Sequence, residues 1–240
     1  MKSPVRDYVC VDLETTGLHP KTDKIIEIGA VRVRDGRAVQ IWQSLVNPGR
    51  ELTERTRQIT GIRQEEVDNA PDIVQVLPQL LDFLGKDILV GHSLIFDFSF
   101  LKKAAVNAGL SFEADGIDTL KLARKFLTTL ESRSLEAVCC HYGVIQEKKH
   151  RAFEDALSAY RVYECMKKEF GETDAGAFCP EPLIYRVKKQ SPVTISQKRY
   201  LNDLIKYHRI ELAVDWETMT KSQASQLIDR ILSNYGRIKR

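Results

Sequence analysis

The 240-residue sequence predicts an α/β fold, a mixed five-stranded sheet flanked by helices, with a small helical module behind it. Three features carry that reading. The first 46 residues hold three apolar or alternating runs joined by short loops, the mark of an antiparallel meander. From there to residue 170, two short apolar runs alternate with stretches of helical periodicity, so the sheet takes both kinds of connection. Beyond Pro192 stand two capping-box signatures, each opening a helix.

Tyr8 to Glu14 reads as a buried strand, and Lys24 to Val33, with Ile25, Ile26, Ile28, Val31 and Val33, as a second. Asp35-Gly36 is a hairpin signal before a third strand, Val39 to Val46, and Asn47-Pro48-Gly49 closes the meander as a turn. Leu52 to Gln58 fits a short helix, and Ile59-Thr60-Gly61-Ile62 a loop returning toward the sheet. A helix from Asn69 or Ala70, with Pro71 in its first turn, sets Ile73, Val76, Leu77, Leu80, Leu81 and Leu84 at helical spacing. Pro78 lacks the N–H that the helical ladder needs and should kink that helix or delay its start.

Ile88-Leu89-Val90 is a short strand, followed by a helix through Phe96, Phe100, Leu101, Ala104 and Ala105 that ends at Asn107 to Gly109. Ile117-Asp118 makes a fifth short strand before a helix over Leu120 to Leu127. Ser134 to Tyr142, stopping at Gly143, and Ala152 to Phe170 are the last helices of a main domain spanning residues 1–170. Residues 171–192, with Gly171, Gly176, Pro180, Pro182 and Pro192, read as a linker, and residues 193–240 as the basic helical module. Its helices open at Thr194-Ile-Ser-Gln197 and Thr220-Lys-Ser-Gln223. So short a piece buries only a marginal core, so it is expected to pack on the main domain, a partner or a second copy.

The net charge of +3 conceals an asymmetry: residues 180–240 hold 12 Lys/Arg against 6 Asp/Glu, and residues 1–179 hold 24 against 27. The basic residues of the tail, including Arg186, Lys188, Lys189, Lys198, Arg199 and Lys206, suggest nucleic acid near it, or else a solvated helical surface. Five scattered cysteines, Cys10, Cys139, Cys140, Cys165 and Cys179, without a C-x-x-C pair, read as reduced thiols and not as a disulfide or zinc framework. No run of 18 apolar residues and no charged, apolar, small-residue leader is present, so the expectation is a cytoplasmic address with no membrane partner.

The chemistry begins at Val11-Asp12-Leu13-Glu14-Thr15-Thr16-Gly17. Alternation along a strand points Asp12 and Glu14 the same way while Val11 and Leu13 enter a core. Two like charges side by side either sit at a solvated strand end or hold a hard cation between them. Asp97 falls in the first turn of the helix after the fourth strand, a place that suits helix capping and also a site at the carboxyl end of a parallel strand. His150 and Asp155, five apart, would stand about 140° from each other on one helix. The spacing therefore favours His150 on a loop just before the helix and Asp155 inside it; the histidine is then either a surface residue beside lysines or a mobile proton acceptor.

Asp12-Leu-Glu14-Thr-Thr-Gly17, Ile59-Thr-Gly61-Ile62, the stretch from His92 through Asp97 to Leu101, and His150-x4-Asp155, in this order and spacing, resemble the DEDDh (DnaQ-like) 3′–5′ exonucleases. That family includes the proofreading epsilon subunit of bacterial DNA polymerase III and the exonuclease domain of the Gram-positive replicative polymerase. The likeness runs from about Tyr8 to Phe170. It implies a ribonuclease H-like fold and two divalent metal ions, Mg²⁺ or Mn²⁺, held by Asp12, Glu14, Asp97 and Asp155, with Asp12 shared between them. It also implies that His150 takes the proton of the attacking water. Thr15, Thr16, Gly17 and Leu18 would seat the terminal nucleotide, with Gly17 allowing close approach and Leu18 against the base.

His92, Ser93 and Phe96 are further substrate contacts by the same resemblance. Family members commonly carry Asn where this chain has Ser93, which leaves the contact roles of His92 and Ser93 open. Phe96 and Phe100, four apart on a helix, are either base-stacking or core, and Phe100 is assigned to core. The implied activity is release of 5′-mononucleotides from single-stranded or frayed 3′ ends of DNA in replication or repair. Trimming of RNA by the same chemistry, and a non-catalytic nucleic-acid-binding scaffold, are the alternatives. The module would contact the strand, or a DNA polymerase or another replication or repair protein.

Overall fold

The structure is a computed structural model that describes residues 4–187, 191–212, 214–217 and 219–238. The chain forms two compact units, Met1–Val187 and Lys188–Arg240. No helix among the described residues is long and apolar enough to cross a membrane. The five cysteines are free thiols. Lys188 and Lys189, named among the basic residues of the tail, lie outside the described residues.

In the first unit β1 (Tyr8–Thr15), β2 (Ile25–Arg34) and β3 (Arg37–Leu45) form the expected antiparallel meander. β1 also pairs in parallel with β4 (Ile88–Gly91), and β4 with β5 (Asp115–Asp118). The sheet has six strands where the sequence suggested five. The extra strand, β6 (Glu181–Pro182), lies in the stretch read as linker and pairs antiparallel with β5. That stretch also buries Phe178, whose ring stacks with Phe126 at 5.8 Å, and Leu183 N–H donates to the Ala114 carbonyl at 3.0 Å. Its Gly and Pro residues made it read as linker, and one buried aromatic and a two-residue pairing are too short to show as a pattern.

The helices follow their caps. α1 (Glu54–Thr60) starts after Thr53, whose hydroxyl accepts Thr56 N–H, and ends at left-handed Gly61, so Ile59 and Thr60 are helical and not loop. α2 (Gln64–Asp68) is too short to display a helical repeat in the sequence. α3 (Ile73–Leu84) begins at the N-cap Asp72, so its start is delayed relative to Ala70 and Pro78 is carried inside it.

β1 has two buried faces, and this decides where everything else goes. Val9, Val11 and Leu13 belong to a core shared with α3 and α4 (Leu94–Asn107). Tyr8 and Cys10 belong to a second core on the other face, shared with α5 (Thr119–Phe126), α6 (Leu135–Tyr142) and α7 (Ala152–Phe170). Asp12 and Glu14 continue the Tyr8–Cys10 row by strand alternation, so they face the α7 side. α7 comes so close to β2 that a Cβ at Gly29 would lie 2.2 Å from Phe153 N, which restricts that position to glycine.

In the second unit, α8 (Ile195–His208) and α9 (Lys221–Tyr235) open with the two capping boxes read from the sequence. Thr194 Oγ1 accepts Gln197 N–H at 3.2 Å and Thr220 Oγ1 accepts Gln223 N–H at 3.3 Å. Leu201, Leu204, Ile228 and Ile231 form their shared core.

The sixth strand makes a prediction about truncation. A chain ending at Val187 should keep the melting temperature of the first unit, whereas one ending at Cys179 should lose roughly 1–3 kcal/mol, the scale of losing the packing of one half-buried leucine plus a strand pairing. Thermal unfolding of the two truncations, followed by far-ultraviolet circular dichroism, checks this.

Candidate active site

β2 pairs with β1 as far as Thr15, but β4 pairs only with Tyr8 to Cys10. Asp12 and Glu14 therefore run past the end of the parallel neighbour, where the sheet opens. A cavity of about 630 Å³ begins there, lined by Asp12, Glu14, Asp97, His150 and Asp155 among others. Asp97 arrives from the first turn of α4 and is 2% exposed, its carboxyl raised by burial against a lowering by the Leu13 backbone of β1. Asp155 arrives from the first turn of α7 and accepts His150 N–H at 3.1 Å and a Gln146 side-chain N–H at 3.1 Å. His150 sits on the turn before α7, exposed, with a left-handed backbone at φ 58. Ligand atoms of Glu14, His150 and Asp155 lie within 4.8 Å of one another.

The electrostatics of this arrangement are one-sided. Asp12, half-buried at the cavity wall, is held well above the carboxylate range by burial and then by Asp97, Asp155, Glu14 and Glu27. Burial, with Asp155 and Glu27, pushes Glu14 up to about 8, against a smaller lowering by Arg151. Asp97 and Asp155 are raised too, chiefly by burial. Four carboxylates this close, with so little cationic compensation from the protein, form a hard-oxygen donor set, and the site fits a hard divalent cation by that chemistry.

The stretch after Glu14 forms a tight turn along one wall of the cavity. Thr15 Oγ1 donates to the Gly17 carbonyl at 2.7 Å, Lys24 N–H donates to Thr16 Oγ1 at 3.0 Å, and Thr16 N–H donates to the Lys24 carbonyl at 2.8 Å. At Gly17 a Cβ would lie 2.5 Å from Asp23 Oδ2, so a side chain there would displace the carboxylate that accepts His19 N–H. Leu18 stands on the rim with 74% of its surface exposed. α1 makes the facing wall with Thr56, Thr60, Arg55 and a 46%-exposed Ile59. Of these, only the Ile59-Thr60 pair lay in a sequence motif; Arg55 and Thr56 had no signal, because short-helix residues carry no periodicity. Gln146 was also unmarked.

His92, Ser93 and Phe96 divide. The Arg133 carbonyl can only accept, so His92 donates to it from Nε2 at 2.9 Å, while Nδ1 faces Thr119 Oγ1 at 2.9 Å. Both ring nitrogens are thus engaged by the protein, and burial lowers the pKa of this imidazole. Ser93 does not line the cavity; it has a left-handed backbone at φ 70 and donates its N–H to Asp118 Oδ1 at 2.9 Å. Phe96 does line the cavity and leans on Phe100, whose ring centroid is 5.0 Å away and which is 3% exposed, within the core.

Residues 9–163 match the RNase_T family, described as exonuclease. The chain is 42% identical over 166 residues to the DNA polymerase III PolC-type of Thermotoga petrophila, a match that covers 67% of this chain and 12% of that protein. It is 34% identical over 157 residues to the DNA polymerase III subunit epsilon of Aquifex aeolicus, covering 65% of this chain and 78% of that one. The matched region is therefore a small part of the PolC-type relatives and most of the epsilon relative. Among solved structures, Exonuclease X in complex with 5′-overhanging duplex DNA superposes with a TM-score of 0.57 at 25% identity, over 72% of this chain and 99% of that one. With its sheet, its acidic cavity and a family match across most of the first unit, the chain belongs to the RNase_T exonuclease family.

Proposed function

We propose that this chain is a metal-dependent 3′–5′ exonuclease that releases 5′-mononucleotides from the 3′ end of DNA. The observation that carries the reading is the meeting of Asp12, Glu14, Asp97, Asp155 and His150, from three separate stretches of sequence, in one cavity at the open end of the sheet. Similarity to DNA polymerase III PolC-type and epsilon proteins supports DNA as the substrate.

Asp12, Glu14, Asp97 and Asp155 would hold two divalent ions, Mg²⁺ or Mn²⁺, with Asp12 shared. When bound, such ions neutralise charge on a phosphodiester undergoing in-line displacement. His150, on an exposed turn, accepts the proton of the attacking water at a ring nitrogen, a task for which imidazole is suited near neutral pH. As the water oxygen bonds to phosphorus, the bond to the preceding 3′-oxygen breaks. That oxygen takes a proton from solvent, leaving a free 5′-mononucleotide and a strand that ends in a 3′-hydroxyl.

The Thr15–Leu18 turn provides backbone groups beside the carboxylates for the terminal nucleotide, and the exposed side chains of Leu18 and Ile59 offer apolar contact to its base. Phe96 supplies part of the wall. His92, with both ring nitrogens engaged, and Ser93, through its backbone N–H, act by shaping the α4 turn. The second unit, with exposed Arg199, Lys206 and Arg209, is read as a contact for the strand's phosphates or for a replication or repair protein, and the site of action as the cytoplasm.

A single-stranded DNA labelled at its 5′ end should be shortened stepwise with release of mononucleotides. Chelation of divalent metal, or Asp12→Ala, should slow this by at least about 10³-fold. Equal rates for wild type and Asp12→Ala would defeat the proposal, and faster digestion of a matched RNA would replace the substrate. Replacing His150 with Ala should lower kcat about 10²- to 10⁴-fold, the range of a lost general base. Mn²⁺ affinity measured by calorimetry should stay unchanged, and its loss would make the histidine a ligand instead.

The raised carboxylates also predict a pH dependence in the metal-free protein. Glu14 titrates from about 8 folded against an ordinary 4.5, so between these values the folded state holds the extra proton. Stability should then fall as pH rises from about 4.5 through 8, because ν_U is smaller than ν_N. Added Mg²⁺ or Mn²⁺ should recover the loss at pH 8 more than at pH 5, which melting curves with and without metal would measure.

A further inference from the structure

Glu27 is a fifth carboxylate at this end of the sheet, and no motif accounts for it. It is 4% exposed and stands on β2 directly across the ladder from Glu14. A buried acid beside an already crowded cluster is unfavourable unless something specific holds it. Its oxygens are held from one direction. Arg151 Nε lies 3.1 Å from each, Arg151 Nη2 lies 2.7 Å from Oε1, and Ala152 N–H donates to Oε2 at 3.0 Å. With both oxygens committed to a guanidinium and a backbone amide, Glu27 is poorly placed to serve as a ligand for a cation in the cavity.

The same contacts explain how α7 is seated. Arg151 is the N-cap residue of α7 and gives no side-chain acceptor to the helix's first turn. Glu27 supplies one from the neighbouring strand, in the position where an anion also meets the positive end of the helix dipole. Two residues further along β2, Gly29 lets the first turn of α7 lie against the strand backbone. Immediately before this seat is His150, and one turn after it is Asp155, the two joined by the His150 N–H. Any slide of α7 on β2 would move both together relative to Asp12 and Glu14.

We infer that Glu27 and Arg151 form a positioning pair: a bidentate clamp from β2 to the N-terminus of α7 that sets His150 and Asp155 against the carboxylates of β1. The inference rests on the exonuclease reading for its kinetic consequence and on the contacts alone for its structural one, so the two can be tested apart. Groups that orient ligands without touching the substrate typically change activity 10- to 100-fold.

The test compares wild type, Glu27→Gln, Arg151→Met, Arg151→Lys and the Glu27→Gln/Arg151→Met double variant. Steady-state digestion of a single-stranded oligonucleotide is measured beside Mn²⁺ affinity, and amide exchange is followed at Ala152. Each single loss should lower kcat 10- to 100-fold with KM within about threefold. The double variant should be no worse than the weaker single, Arg151→Lys should recover part of the rate, and Ala152 N–H should exchange faster. Mn²⁺ affinity should fall far less than in Glu14→Gln. Multiplicative losses in the double variant, wild-type kcat in both singles, or a Glu14→Gln-like loss of Mn²⁺ binding in Glu27→Gln would each overturn the clamp. Should Glu27→Gln fail to fold, the half-exposed Arg151 variants decide alone. Should wild type show no nuclease activity, the exonuclease reading falls, while unchanged exchange at Ala152 in the variants would be needed to remove the clamp.

Discussion

Crowding of like charge is the constraint on which this structure depends. Asp12 is raised by Asp97, Asp155, Glu14 and Glu27 together, after burial, and no single contact relieves it. A fold that holds four such acids must reach them from several directions without filling the space between. It must also lower their repulsion by means other than a ring of basic side chains, which would compete with a cation for the same oxygens. The backbone serves this purpose. Asp97 and Asp155 both stand in first turns, so the N-terminal ends of α4 and α7, the positive ends of their dipoles, converge on the cluster.

The sheet order makes that convergence possible. Because β2 is antiparallel to β1 and follows it to Thr15, the acidic end of β1 is supported on one side along its whole length. Because β4 is parallel and short, its chain leaves at Gly91 and turns into α4 beside the same end, the usual opening at the carboxyl edge of parallel strands. Glycines keep the crossing points clear. A Cβ at Gly91 would sit 2.9 Å from the Val11 carbonyl, and one at Gly29 would enter the first turn of α7. Each empty position is paired with an acid: Gly29 is the register partner of Asp12, so the helix carrying Asp155 fits where a side chain would otherwise stand.

Much of this was legible because it is written in local patterns. Strand alternation placed Asp12 and Glu14 on one face, the five-residue spacing put His150 before its helix and Asp155 within it, and α7 runs over Ala152–Phe170 as its apolar periodicity indicated. What the sequence hid depends on partners distant in the chain. Glu27 looks like one polar residue in an apolar run, and its meaning appears only when Arg151, 124 positions away, reaches it. The strand at 181–182 exists because Asp115 and Gly116 are beside it, not because of its own residues. The nearness of the Asp23 carboxylate to Gly17 was equally invisible, since Asp23 lies in a turn with no pattern of its own.

The departure at Ser93 falls under the same logic. A non-glycine residue at φ 70 is strained on the order of 1 kcal/mol, and asparagine tolerates that region better than serine does. The work done at this position is done by the backbone: Ser93 N–H donates to Asp118 Oδ1, which also accepts Leu120 N–H and so caps α5. One carboxylate thereby ties the turn after β4 to the turn after β5. His92 adds a second tie to the same region through Thr119 and Arg133. A side chain at position 93 that does not line the cavity changes the ease with which the turn is held, and leaves Asp97, four residues on in the first turn of α4, where the site needs it.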